Sequence, residues 1–332
     1  GKQVFDREDY ISFFGGFSEF NSEGSIFSLR GNSNNLNIMT KDNAPDMNTY
    51  NGAVHFGAEP NKKLRVSGFG LLNTNNIRYD SRVEKLFYNV DPTYTTVDEE
   101  RNKNNTLMGM TRLRLDYNPN DKGQIKYRLN FNYLNTENEQ GVNSYYNENK
   151  NSFRNIYSDQ KNYSLSQTLS YVRKVGRDHN IGFYLRHQYQ KDTPEYTIHS
   201  SSNPFSSFPM FQNINQVNEQ YNLNQNQNFT FNTLQFYTIF NYLITNTANL
   251  KFKAGSNFST QDFDNKIYDH QTLMNEDKLI SNTDFDYNET FADVTLTKKI
   301  GNFQADLGAG ISYFNEQTTF YDQTKNKRDE TK

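Results

Sequence analysis

Asp121-Lys122-Gly123-Gln124-Ile125-Lys126-Tyr127-Arg128-Leu129-Asn130-Phe131-Asn132-Tyr133 is the stretch that decides the fold. Ile125, Tyr127, Leu129, Phe131 and Tyr133 are apolar or aromatic, and Gln124, Lys126, Arg128, Asn130 and Asn132 between them are polar or charged. Successive side chains of a strand point to opposite faces, so a period of two specifies a sheet with one apolar and one wet surface and excludes a helical stripe. The run before it alternates in the mirror sense, with Leu113, Leu115 and Tyr117 set between Arg112, Arg114 and Asp116. Asn118-Pro119-Asn120-Asp121-Lys122-Gly123 joins the two runs. Proline fixes φ and glycine permits positive φ, so the link is a turn and the pair is an antiparallel hairpin.

The hairpin recurs. Residues 50–60 and 63–76 flank a turn near 59–62, residues 162–174 and 179–191 flank 175–178, residues 230–244 and 249–260 flank 245–248, and residues 288–299 and 302–315 flank 300–301. Tyr163, Leu165, Leu169 and Tyr171 are answered by Ile181, Phe183, Leu185 and Tyr189. Residues 77–105, 135–160, 192–228 and 262–286, rich in Asn, Asp, Glu, Gln and Ser, read as long connecting loops. Loops beyond about 15 residues are uncommon inside a compact soluble domain. They are usual in an outer-membrane barrel, where short periplasmic turns alternate with long external loops. Each alternating run also reaches the about 9 to 11 residues of a tilted spanning strand. Gly24–Arg30 reads as a further strand and residues 3–20 hold room for another, although whether residues 1–49 belong to the barrel stays open. The expectation is roughly 12 to 14 strands, even numbers being the rule for bacterial barrels.

Composition agrees. The 332 residues carry 35 basic and 38 acidic side chains, a net charge of −3, which lacks the basic footprint of a nucleic-acid binder. Cysteine and tryptophan are both absent, which excludes disulfides, thiolate metal sites and a cysteine nucleophile. Hydrophobic residues make up only 34% while aromatics reach 15%, and the mean hydropathy is −0.95. Disordered chains are poor in aromatics, so these values conflict for a disordered chain. They fit a barrel whose lumen and loops are polar, whose lipid face is apolar at alternate positions, and whose aromatic girdles lie at both membrane interfaces. No run approaches the roughly 18 apolar residues of a spanning helix, and no signal-peptide pattern opens the chain.

The segment Ile26-Phe27-Ser28-Leu29-Arg30-Gly31-Asn32-Ser33-Asn34-Asn35 resembles a strand ending in Gly-Asn-x-Asn-Asn near the start of the barrel of TonB-dependent receptors and related outer-membrane proteins of Bacteroidetes. Lys62-Lys63-Leu64-Arg65-Val66-Ser67-Gly68-Phe69-Gly70-Leu71-Leu72-Asn73-Thr74-Asn75-Asn76 is similar to the family's Lys-Lys-Leu, alternating strand, Asn-rich segment. The hairpins Arg112–Asn135 and Tyr163–Tyr189 fit the same pattern. The resemblance implies an all-β, antiparallel transmembrane β-barrel, an up-and-down meander forming part of a larger barrel of about 22 strands. It further implies uptake of a large nutrient such as a metal chelate, glycan or peptide, captured by loops and passed by a plug moved through TonB, with a surface lipoprotein as partner. Nothing here resembles the family's plug or TonB-contacting segment, and Lys327-Arg328-Asp329-Glu330-Thr331-Lys332 reads as an external loop rather than a closing aromatic strand. A partial barrel lacking its plug and last strands is therefore expected.

On the polar faces, Arg112, Arg114, Lys126, Arg128, Arg186, Lys251 and Lys253 are candidate lumen residues, either attracting anionic or polar solutes or simply lining a wet interior. Tyr117, Tyr127, Leu129, Phe131, Tyr133, Tyr171, Tyr189, Tyr242 and Tyr313 are candidate lipid-facing or girdle residues, the tyrosines suiting an interface because the ring is apolar and the hydroxyl wet. Tyr163 belongs with them. Asp262-Phe263-Asp264 and Asp284-Phe285-Asp286 are acidic clusters without the spacing of a calcium loop, and the five histidines show no metal-binding spacing. No nucleophile elbow, phosphate loop or dinucleotide fingerprint occurs, so neither catalysis nor a cofactor is expected. Tyr221–Asn232 reads as an extended loop running into a strand. Loops 77–105 and 192–228 are the expected contacts for ligand or lipoprotein. The location expected is the Gram-negative outer membrane, with lipid as the surrounding partner. A structural or adhesive barrel, a passive porin and a soluble all-β binding module are the alternatives.

Overall fold

The computed structural model describes residues 46–87, 94–147, 149–176, 179–203, 220–269, 272–273, 281–322 and 327–331. The strands expected at 3–20 and Gly24–Arg30 lie outside the described residues. Ten long strands follow one another: β1 (Asp46–Asn61), β2 (Leu64–Phe87), β3 (Tyr94–Asn120), β4 (Gly123–Tyr146), β5 (Asn149–Val175), β6 (His179–Ser200), β7 (Tyr221–Thr245) and β8 (Ala248–Asp269), then, after the two-residue β9 (Thr272–Leu273), β10 (Ser281–Ile300) and β11 (Phe303–Asp322). A short β12 (Lys327–Thr331) pairs with the end of β11. All pairings are antiparallel, and each long strand lies beside the next, an up-and-down meander in one sheet. Among the described residues that sheet is open: the outer edge of β1 has no partner strand, and neither has most of β11.

Tight turns gather at one end of the sheet. Lys62-Lys63, Asp121-Lys122, Asn246-Thr247 and Gly301-Asn302 each separate two strands, and Gly176 opens the fifth link. The first two are built alike: the Oδ1 of Asn61 accepts the Lys63 amide at 2.9 Å, and the Oδ1 of Asn120 accepts the Lys122 amide at 3.0 Å. These are Asx turns, in which the side chain substitutes for a backbone acceptor. Gly176 and Gly301 have φ of 69° and 62°, a region that side-chain-bearing residues disfavour.

At the opposite end the strands run further than their composition suggests. Of residues 77–105, expected as a loop, only 88–93 fall outside β2 and β3, and β4 and β5 together take up most of 135–160. β6 reaches Ser200 and β7 begins at Tyr221, which shortens the connection expected at 192–228. β8 and β10 likewise absorb much of 262–286, and Lys327–Thr331, expected as loop, is β12. Backbone ladders need no apolar side chains, and polar cross-strand pairs support them: Gln140 Nε2 donates to Glu100 at 2.6 Å and Ser144 Oγ to Asp98 at 2.7 Å. Polarity in these segments reports solvent on both faces rather than a lack of strand.

Register carries one face unbroken across the sheet. The row Val66–Leu115–Tyr127–Leu169–Leu185–Phe236–Ser256–Thr290–Tyr313 joins directly opposed residues from β2 to β11. The neighbouring row of that face runs Leu64–Tyr117–Ile125–Tyr171–Phe183–Thr238–Ala254–Ala292–Ile311. No second layer covers it among the described residues. Among the described residues only Val97, Leu223 and Ala248 are buried hydrophobics, while interior-strand side chains such as Phe183 (47% exposed) and Phe258 (43%) stand in the open.

Candidate functional site: two faces and a polar hollow

The apolar face has a defined depth. On β4 it runs from Ile125 to Tyr133, on β5 from Tyr163 to Tyr171, on β6 from Ile181 to Tyr189, on β7 from Leu234 to Tyr242 and on β8 from Leu250 to Phe258. Beyond Tyr133 and Tyr163 the same face turns polar, with Asn135 opposite Lys161 and Glu137 opposite Asp159. Each run is nine residues, or about 27 Å at the antiparallel rise of roughly 3.4 Å per residue, which at a tilt of about 40° spans about 21 Å of depth, a little short of the about 25 Å apolar band of an outer-membrane barrel.

Tyr117, Tyr127, Leu129, Phe131, Tyr133, Tyr171, Tyr189, Tyr242 and Tyr313 all fall on this face, as does Tyr163. Tyr133 and Tyr163 pack with ring centroids 5.1 Å apart, and Tyr242 stacks on His179 at 4.4 Å beside a tight turn. Tyr127 is different, since it sits mid-run and donates its hydroxyl to Gln167 at 2.8 Å. Gln167 and His187 are polar residues on the apolar face that alternation did not announce. They contact each other at 3.4 Å, and His187 contacts Asn232 at 3.0 Å, so these three polar side chains partner one another.

Arg112, Arg114, Lys126, Arg128, Arg186, Lys251 and Lys253 all fall on the opposite face. Arg112 donates to Asn130 at 3.0 Å, and Arg114 to Asp116 at 2.9 Å. Arg114 stands directly opposite Arg128, and their row continues through Thr168 to Arg186. Lys253 lies opposite Asp293, with its ammonium 4.8 Å from the Tyr237 ring centre and 5.1 Å from that of Phe291. Tyr237 also stacks on Tyr184 at 4.8 Å. These rings are aromatic residues out of phase with their own strands, which is the signal that could have found them. Gly255 sits opposite Tyr237, where a Cβ would run into the neighbouring backbone.

The faces differ in exposure as well as polarity. Along β10 the apolar-face positions from Asp286 to Leu296 are exposed, while the polar-face positions from Phe285 to Thr295 are half-buried, and β8 repeats this with Phe252, Ala254 and Phe258 against Lys251, Lys253 and Asn257. A sheet bent toward its polar face produces this difference.

Where the extended strands pass beyond the apolar band, the polar face holds a hollow of about 520 Å³ lined by Lys85, Asp98, Glu100, Ser144, Arg154 and Ser200, among others. Ser81, Glu100, Val142, Arg154 and Ser200 form one row across β2 to β6. Charges of both signs and several hydroxyls line it, so it offers donors and acceptors to a polar solute. The acidic clusters lie on the other face, with Asp262 directly opposite Asp284. Burial, then the charges of Asp284 and Asp286, push the Asp262 carboxyl above the ordinary range.

No protein-family model and no curated protein matches the sequence. Among solved structures, the ferric yersiniabactin uptake receptor FyuA from Yersinia pestis is similar at 7% identity and a TM-score of 0.37, over 82% of this chain and 56% of that one. The RagAB peptide importer is similar at 10% identity and a TM-score of 0.31, over 83% of this chain and 47% of that one. The outer membrane protease OmpT from Escherichia coli gives 9% identity and a TM-score of 0.24, over 82% and 90%. The chain spans about half the length of the first two.

Proposed function

We propose that this chain forms part of the wall of an outer-membrane β-barrel of the TonB-dependent receptor type, which takes up a polar solute from the cell surface. The observation that carries the reading is the largely apolar face, held in register from β2 to β11 and covered by no second layer among the described residues. Each Leu or Phe left in water forgoes about 1.5–3 kcal/mol of transfer energy, so such a face needs an apolar surrounding. Lipid supplies one. The depth of about nine residues supports a bilayer, and bending toward the polar face supports a wet lumen. The hollow among the extended strands, at the end away from the tight turns, is where a solute would first be held. Energised passage would require a plug and TonB. A surface lipoprotein would meet the same end of the wall.

The absence of tryptophan makes a direct test clean. Single tryptophans replacing Phe131 or Phe183 in the full chain, reconstituted in liposomes, are expected to be quenched by brominated acyl chains, whereas one replacing Ser166 is not. Equal quenching at the three positions, or a chain that stays in the aqueous phase as a stable monomer, would overturn the reading. Ion conductance without any energy source would move it to the passive porin.

A further inference from the structure

We propose that the polar face of β3–β6 is a recognition site for anions bearing two or more carboxylate or phosphate groups, centred on Arg114, Arg128 and Arg186. The proposal rests on that face being the lumen wall, and it names the class of solute.

At the depth of the apolar band, the polar-face positions are Met108–Asp116 on β3, Gln124–Asn132 on β4, Ser164–Val172 on β5 and Gly182–Gln190 on β6. Among the described residues these positions hold five cations, Arg112, Arg114, Lys126, Arg128 and Arg186, and one carboxylate, Asp116. Asp116 is engaged by Arg114 at 2.9 Å. Arg128, by contrast, faces Arg114 across the ladder, is exposed, and has no carboxylate within ion-pair distance among the described residues. Like charges directly opposed on a sheet are destabilising. A cost of that kind is retained where the uncompensated charge has another use.

Spacing narrows the ligand. Neighbouring strands lie about 4.8 Å apart, so Arg114 and Arg128 are separated by about one strand spacing, and Arg128 and Arg186 by about two, or roughly 10 Å. Thr168 stands between the latter pair and adds a hydroxyl. Guanidinium groups match carboxylate and phosphate oxygens in bidentate fashion. A row of three suits an anion whose charges are distributed over several ångströms better than a halide. The β8 side does not share this character, because Lys253 has Asp293 opposite and two rings beneath it.

The test uses the full chain in nanodiscs of zwitterionic lipid, with pyrophosphate as probe in isothermal titration. Pyrophosphate is expected to bind, more weakly as salt is raised. In Arg128→Gln, binding should fall at least tenfold while the unfolding midpoint rises, since the repulsion from Arg114 is relieved. Lys161→Gln, on the other face beyond the band, should leave binding unchanged. Unaltered binding in Arg128→Gln, or a lowered midpoint, would show a structural arginine and overturn the proposal. If lipid-borne bromine quenches the Phe131→Trp reporter yet pyrophosphate does not bind, the anion class is lost and the wall reading stands. If quenching itself fails, the wall reading fails with it.

Discussion

A single side chain on this sheet has its energetics set by the parity of its position. Leu129 and Asn130 are neighbours in sequence and belong to opposite faces. A basic residue at the bilayer midplane of a barrel's lipid face costs about 2–4 kcal/mol, falling to about 0–1 near the interface. Leu129→Arg is therefore expected to lose that larger amount, Tyr133→Arg the smaller, and Ser166→Arg, on the polar face between Asn130 and Gln188, far less than Leu129→Arg, read from guanidinium unfolding in liposomes. A flat response across the three would contradict the facial assignment. Outside the band, Asp262 provides a pH handle. Its carboxyl holds its proton to higher pH in the fold than in the unfolded chain, because of burial and then Asp284 and Asp286. Between the two pKa values the folded state binds more protons, so stability falls as pH rises through that window and stays lowered above it. Asp262→Asn should therefore unfold at higher denaturant than the parent at pH 7, and at the same denaturant once the pH drops below the ordinary carboxylate range. An advantage that grew toward acid would reverse the sign and refute the cause given.

At the scale of the element, alternation at Ile125–Tyr133 is enough to read a strand and its two faces. The turn residues Asn118–Gly123 are enough to read the hairpin. What alternation does not show is where a strand stops once both faces are wet. Residues 94–105 and 135–146 lack the apolar period and read as loops, yet they pair from Thr96–Tyr146 through to Asn105–Glu137. Their support comes from the ladder and from pairs such as Gln140 with Glu100, which a single strand's sequence cannot display. The basic residues on the polar face were legible one by one. That Arg114 faces Arg128 depends on register, and register depends on the turn keeping its length. Paired extensions resist proteolysis where loops are cut, so native protein in liposomes should keep the bonds after Arg101 and Lys103 intact under trypsin. Early cleavage at either would return this segment to a loop.

The whole molecule raises the question of closure, because an edge left open among the described residues, with exposed side chains on β1 and β11, is an invitation to pair. The two edge strands run antiparallel to one another, so ten strands are topologically able to close directly. The charges argue against it. Direct closure would set the arginine-rich β3–β6 across a narrow lumen from β10 and β11, where Asp293, Glu289, Asp306 and Glu316 share the polar face. Barrels of about eight strands have interiors just wide enough for side chains to fill, whereas larger ones leave a lumen. In a ten-stranded ring the cations would be neutralised and packed, and the half-buried polar face of β8 and β10 would be driven toward full burial. Further strands between β1 and β11 keep the face wet and Arg128 open to solute. The chain contains no cysteine, so cross-linking can decide. Cysteines replacing Val66 and Leu115, a directly opposed pair, should form a disulfide readily. Cysteine at Val54 combined in turn with cysteines from Ala305 to Asn315 should form none. A disulfide in any of these latter pairs would mean a narrow ten-stranded ring, and the anion site proposed for Arg114, Arg128 and Arg186 would give way to a mutually paired interior.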